Sequence, residues 1–137
     1  MDRFSPQERS RVMSRVRGKD TLPELIVRRA AYSLGFRYRL HRKDLPGSPD
    51  IVFPKLRTVI FVHGCFWHRH PGCGRASVPQ SRTEFWQSTL ARNVERDRAA
   101  RTTLEQMGWQ VAVIWECETK NLDAVKRMLH QILSVRN

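Results

Sequence analysis

The sequence predicts an α/β fold. Three observations carry that expectation. Stretches with apolar residues at helical spacing open on capping signals and close on glycine, short β-branched and aromatic runs fall between them, and the two kinds of segment interleave along the chain. The chain has 137 residues, which suits one domain spanning 1–137 around one core.

Ser5-Pro6-Gln7-Glu8 has the form of a capping box with proline at the first helical position, and predicts a helix from Pro6 to about Arg17, stopped at Gly18. Residues 1–20 are thus expected to form a basic helical arm. Thr21-Leu22-Pro23-Glu24 repeats the start signal. Leu22, Leu25, Ile26, Ala30 and Leu34 follow at helical spacing, up to Gly35. Phe36, Tyr38 and Leu40 alternate with Arg37 and Arg39, the pattern of a half-buried strand. Leu45-Pro46-Gly47-Ser48-Pro49 is a turn. Asp50–Phe53 and Thr58–Val62 read as short apolar strands, separated by Pro54-Lys55-Leu56-Arg57. Ser81-Arg82-Thr83-Glu84 is a third capping box, opening a helix to Met107 with a break near Asn93 and a stop at Gly108. Trp109 to Trp115 is strand-like, with Cys117 at its end. Leu122, Val125, Met128, Leu129, Ile132 and Leu133 form the stripe of a last helix. The predicted order is α-α-β-β-β-α-β-α.

The formal net charge is +12, and residues 1–43 hold 12 Lys+Arg against 4 Asp+Glu. A basic field of this size favours a polyanion, with nucleic acid the first candidate. The rival is a solvated arginine surface, with Arg9, Arg11, Arg15 and Arg17 on one helix face. No apolar run approaches the roughly 18 residues of a membrane span, and no secretion signal opens the chain. The expected partner is therefore not a membrane.

Residues 61–73 concentrate unusual chemistry. They contain three of the five histidines and two of the three cysteines. Cys65, His70 and Cys73, with the distant Cys117, offer thiolate and imidazole donors, the ligand types of a tetrahedral structural zinc. Such an ion would tie a long loop to the sheet and offset the entropy of ordering it. The alternative is buried free cysteines with surface histidines.

Asp50 stands at the mouth of an apolar strand, after Pro-Gly-Ser-Pro. A carboxylate there either caps a turn or holds a cation. Phosphodiester hydrolysis needs a hard cation on oxygen ligands and a group that moves protons near neutral pH. Asp50 supplies the first, and His63 or His68 the second. Glu24 is a capping-box partner or a member of the same site.

Asp50 after Leu45-Pro-Gly-Ser-Pro, Val59-Ile-Phe-Val-His-Gly-Cys-Phe-Trp-His, Arg82-Thr-Glu-Phe-Trp, Asn93-Val-Glu-Arg-Asp-Arg and Trp115-Glu-Cys together resemble the very-short-patch (Vsr) mismatch repair endonucleases of bacteria. The similarity runs from about Arg11 to Cys117. It implies a restriction-endonuclease-like mixed central sheet flanked by helices, of the PD-(D/E)xK type, with a structural zinc loop. The usual Glu-x-Lys of that superfamily is replaced by Phe61-Val62-His63, as in the family.

The resemblance further implies a magnesium-dependent nick on the 5′ side of the T in a T:G mismatch left by deamination of 5-methylcytosine. By position, Asp50 would hold Mg²⁺ with the Val62 main-chain carbonyl, His68 would activate the attacking water, and His63 and Glu24 would assist. Cys65, His70, Cys73 and Cys117 would bind Zn²⁺. Phe66 and Trp67 would wedge into the base stack, where a mismatched step is cheaper to open. A third, aliphatic wedge position falls on Gln87, while Phe85 and Trp86 pack inward. Arg9, Arg11, Arg15 and Arg17 would clamp the duplex. The expected species is a cytoplasmic, nucleoid-associated monomer acting on double-stranded DNA. Two rivals remain: a restriction-type nuclease cutting matched duplex, and a non-catalytic zinc module that only binds DNA.

Overall fold

The computed structural model describes residues 21–74 and 79–134. The predicted first helix, with its arginine face, lies outside them. The described elements run α1 (Leu22–Ser33), β1 (Arg39–Leu40), β2 (Ile51–Phe53), β3 (Thr58–His63), α2 (Thr83–Gln106), β4 (Gln110–Trp115) and α3 (Leu122–Ser134). Short 3₁₀ turns at Pro54–Leu56 and Glu116–Lys120 follow β2 and β4.

The sheet order is β1-β2-β3-β4. β1/β2 and β2/β3 are antiparallel, and β3/β4 are parallel. This is a mixed sheet. Its parallel pair is joined through α2, as a parallel connection requires. Helices cover both faces. Val27, Ala30 and Ala31 of α1 meet Val125, Leu129 and Leu133 of α3 over Ile51, Phe53, Ile60, Val62 and Ile114. On the opposite face, Leu104 of α2 packs with Leu45, Val52, Val59, Phe61, Trp109 and Val111. The twofold alternation of β3 therefore sends Ile60 and Val62 to one layer and Val59 and Phe61 to the other. Burying each of these large apolar side chains stabilises the fold by about 1.5–3 kcal/mol.

Several local expectations hold for stated reasons. The Thr21 hydroxyl accepts from the Glu24 N–H at 3.5 Å and caps α1, and Gly35 follows that helix at φ +94°. Gly108, also at φ +94°, follows α2. Pro54–Leu56 and the left-handed Arg57 turn β2 back into β3.

Others are corrected. β1 is only Arg39–Leu40, because Phe36 and Tyr38 turn off the ladder and set their rings edge-on to Phe53. Ser81-Arg82-Thr83-Glu84 is not a capping box. Arg82 is the N-cap in a left-handed conformation with no side-chain cap, and the Thr83 hydroxyl donates back to the Gln80 carbonyl at 2.8 Å. α2 runs unbroken through Asn93, whose side-chain amide donates to the Trp67 carbonyl at 3.2 Å and leaves its own backbone in the helix. Cys117 lies in the 3₁₀ turn beyond β4 rather than on the strand. Phe85 is 45% exposed and does not pack inward.

Candidate active site and metal cluster

The carboxyl-side end of β3 and the start of β2 open onto a cleft of about 940 Å³. Glu24, His41 and Asp50 line one wall, His63, His68 and Asp97 another, and Phe66 and Trp67 stand at its side. The turn before β2 closes tightly under it. Gly47 adopts φ +75°, and a Cβ built there would lie 2.7 Å from the Ala100 Cβ and 3.2 Å from the Phe61 ring. Only glycine brings the turn that close to α2.

Asp50 sits one residue before β2. Its Oδ2 accepts the Val62 N–H at 2.7 Å. Burial pushes its carboxyl up to about 7; the Val62 N–H opposes that shift, and the nearby Glu24 charge adds to it. Glu24 is buried in the first turn of α1, 3.4 Å from an Arg28 guanidinium nitrogen and 3.5 Å from His41 Nε2. The donor atoms of Glu24, His41 and Asp50 lie within 4.8 Å of one another.

His63 ends β3 and is buried. Its ring stacks on His68 at 3.8 Å between centroids and an interplanar angle of 5°. Burial, with the adjacent His68, lowers its pKa to about 4, so the His63 ring is neutral near pH 7. His68 Nδ1 lies 2.6 Å from Asp97 Oδ2. With Asp97 ionised, that contact places the proton on Nδ1 and leaves Nε2 as the basic nitrogen.

The loop after β3 carries the other cluster. Donor atoms of Cys65, His70, Cys73 and Cys117 lie within 4.8 Å of one another, and Cys117 Sγ is 3.4 Å from His70 Nδ1. A tetrahedral zinc with bonds of about 2.0–2.3 Å sets its donors about 3.5 Å apart. Burial and the neighbouring thiols push the Cys65 thiol up to about 12. A cation is what allows such packed thiols to ionise. The cluster is thus chemically suited to a metal ion.

β4 joins the two clusters. Trp115 stacks on His70 at 4.2 Å and presents its edge to His63 at 5.2 Å. The Glu116 carboxylate accepts the Cys65 N–H at 3.3 Å. Phe66 and Trp67 are half-buried and meet edge-on at 5.0 Å, and Trp86 of α2 lies 5.4 and 5.8 Å from them. Gln87 is exposed and has no place in this cluster.

The fold brings together Asp50, Val62, His63, His68 and Glu24, and separately the four predicted zinc-type ligands. Arg9, Arg11, Arg15 and Arg17 fall outside the described residues. Sequence reasoning missed Asp97, His41, Trp115 and Glu116 as members of the site. Asp97 had a legible signal: it lies four residues after Asn93, on the same face of α2, and both point at the loop. His41 had none, because its position depends on strand pairing.

Comparison with known proteins places the chain in a family. The family of DNA mismatch endonuclease Vsr matches residues 1–74. The type II nicking enzyme V.XorIIP of Xanthomonas oryzae pv. oryzae is 50% identical over 96% of this chain and 96% of its own length. V.NmeAIP, a type II nicking enzyme of Neisseria meningitidis, is 42% identical over 96% of this chain and 94% of its own. The DNA mismatch endonuclease Vsr of Escherichia coli is 42% identical over 80% of this chain and 69% of its own. This chain belongs to the Vsr family of DNA mismatch endonucleases, enzymes that cleave DNA by hydrolysis.

Proposed function

We propose that this protein nicks duplex DNA on the 5′ side of the T in a T:G mismatch, with Mg²⁺ at Asp50 and Zn²⁺ in the Cys65 cluster. The observation that carries the reading is the cleft itself, where a cation-suited carboxylate faces a histidine held by a carboxylate. Asp50 fits a divalent ion because its buried charge lacks a full counter-charge, as its raised pKa reflects. The N–H and C=O of one strand residue face the same side. The Val62 carbonyl thus shares the Asp50 side of β3 with the N–H that Asp50 accepts, which supports it as co-ligand. A divalent cation held there supplies positive charge against the charge that builds on the phosphate.

The remaining work falls to side chains. Asp97 holds His68 in one tautomer, and Nε2 takes the proton of the attacking water. The neutral His63 ring stacks on His68 without opposing the charge it gains. Glu24 lies beside the Asp50 carboxylate. Phe66 and Trp67 enter the base stack next to the mismatch, where unstacking costs least. Cys65, His70, Cys73 and Cys117 on Zn²⁺ fix the loop that carries both aromatics and His68. Arg9, Arg11, Arg15 and Arg17 grip phosphates, so binding weakens with about one power of salt per contact.

The test compares strand nicking of T:G and matched duplexes, with and without Mg²⁺, for the native protein and Asp50→Ala. Nicking confined to the mismatched strand, dependent on Mg²⁺ and lost in Asp50→Ala with DNA binding kept, is the expected result. Equal cleavage of matched duplex would replace the mismatch reading with a restriction-type one.

A further inference from the structure

His41 has no role in the reading above, yet it faces the same carboxylates. The β1–β2 register sets Leu40 opposite Ile51. One step further, the His41 N–H donates to the Asp50 carbonyl at 3.3 Å, so strand pairing fixes the two residues side by side. His41 then takes φ +47°, the left-handed region that histidine tolerates better than most side chains. Its imidazole, 15% exposed, lies with Nε2 3.5 Å from Glu24 Oε2. The donor atoms of Glu24, His41 and Asp50 fall within the span of one ion's coordination sphere.

An ion pair with Glu24 is the simpler explanation of that contact. Arg28 already approaches the same Glu24 oxygen at 3.4 Å, and a guanidinium is a permanent cation. A second cation there is redundant, whereas a neutral imidazole brings a lone pair that Arg28 lacks.

We propose that His41 is the third side-chain ligand of the divalent-cation site built on Glu24 and Asp50, and that its nitrogen adds more to this site's affinity for a first-row transition cation than to its affinity for Mg²⁺. The inference rests on the proposed metal-dependent chemistry at Asp50. Mg²⁺ prefers oxygen donors and keeps its waters, while imidazole binds later divalent cations more strongly.

The test uses the full chain with its Cys65 cluster loaded, without DNA, and Mn²⁺ as the probe. Mn²⁺ binding is titrated by electron paramagnetic resonance. Pulsed measurements then read the ¹⁴N coupling of a directly bound imidazole. The native protein should show that coupling, and His41→Asn should lose it, since asparagine also accepts the left-handed backbone. His68→Gln should keep it. Mn²⁺ affinity should fall at least about tenfold in His41→Asn, as loss of a ligand-shell residue does, with a much smaller change for Mg²⁺ in competition. In ¹⁵N-histidine-labelled native protein the coupling should switch isotope, a readout that needs no variant. Bound Mn²⁺ that disappears in Asp50→Asn but never shows an imidazole coupling, or keeps it in His41→Asn, overturns the role of His41 and leaves Asp50 as a ligand. Mn²⁺ binding indifferent to both Asp50→Asn and His41→Asn overturns both readings.

Discussion

Asp50→Asn should make the protein more stable while removing its activity. The buried carboxyl titrates near 7 against an ordinary value of 3.8. At about 1.36 kcal/mol per pKa unit, holding it ionised costs the folded state up to about 4 kcal/mol. Asparagine keeps an oxygen to accept the Val62 N–H at 2.7 Å and carries no charge. The sign follows from the direction of the shift. The folded pKa is raised, so the carboxyl's contribution is fully favourable below about pH 3.8 and is lost as pH rises through about 7. The variant should therefore exceed the native protein by about 2–4 kcal/mol at pH 8 without added Mg²⁺, and by less than about 1 kcal/mol at pH 4. Urea unfolding followed by fluorescence of the four tryptophans measures both gaps. Dialysis rather than a chelator keeps the Cys65 cluster loaded. Adding Mg²⁺ should raise the native protein's stability by mass action and leave the variant unchanged. An Asn variant no more stable than the native protein at pH 8, or a gap that does not shrink toward pH 4, would refute the account of a charge held under burial until a cation arrives.

Cys73→Ser should release zinc and lower the melting temperature. Unchanged metal content by elemental analysis removes Cys73 from the ligand set. Asp97→Asn should lower kcat by about 10–100-fold through loss of the His68 tautomer and shift the pH–rate profile, with DNA affinity retained; an unaltered rate means the 2.6 Å contact is only structural. Trp67→Ala should cost about 1–3 kcal/mol of stacking on the opened site and reduce the preference for mismatched over matched duplex, and an equal loss on both duplexes would make Trp67 a packing residue. Gly47→Ala should destabilise by about 1–3 kcal/mol through strain at positive φ and overlap with Ala100, measured by the same urea titration. A neutral effect means the turn can move away from α2.

The outline of the fold was legible because its signals are local. Thr21 before Leu22-Pro23 starts a helix through one hydroxyl and one N–H three residues on, and Val125, Leu129 and Leu133 mark a buried stripe by spacing alone. The soft-ligand loop was legible for a similar reason, since Cys65, His70 and Cys73 lie within nine consecutive positions. Where local grammar failed, a distant group had overruled it. Asn93 looks like a helix breaker until the Trp67 carbonyl takes its amide, and Ser81 looks like a cap until Arg82 turns left-handed.

Among the described residues, the sequence by itself determined most of the helical and strand segments and the inventory of donors, because propensity, capping and periodicity act over a few residues. Tertiary structure alone decided which donors share a site. Asp97 reaches His68 across 29 positions, Glu116 reaches Cys65 across 51, and His41 meets Asp50 through strand register. Those encounters depend on how α2 crosses the sheet, how β4 lies parallel to β3 and how β1 pairs with β2, all of them set by contacts between distant segments.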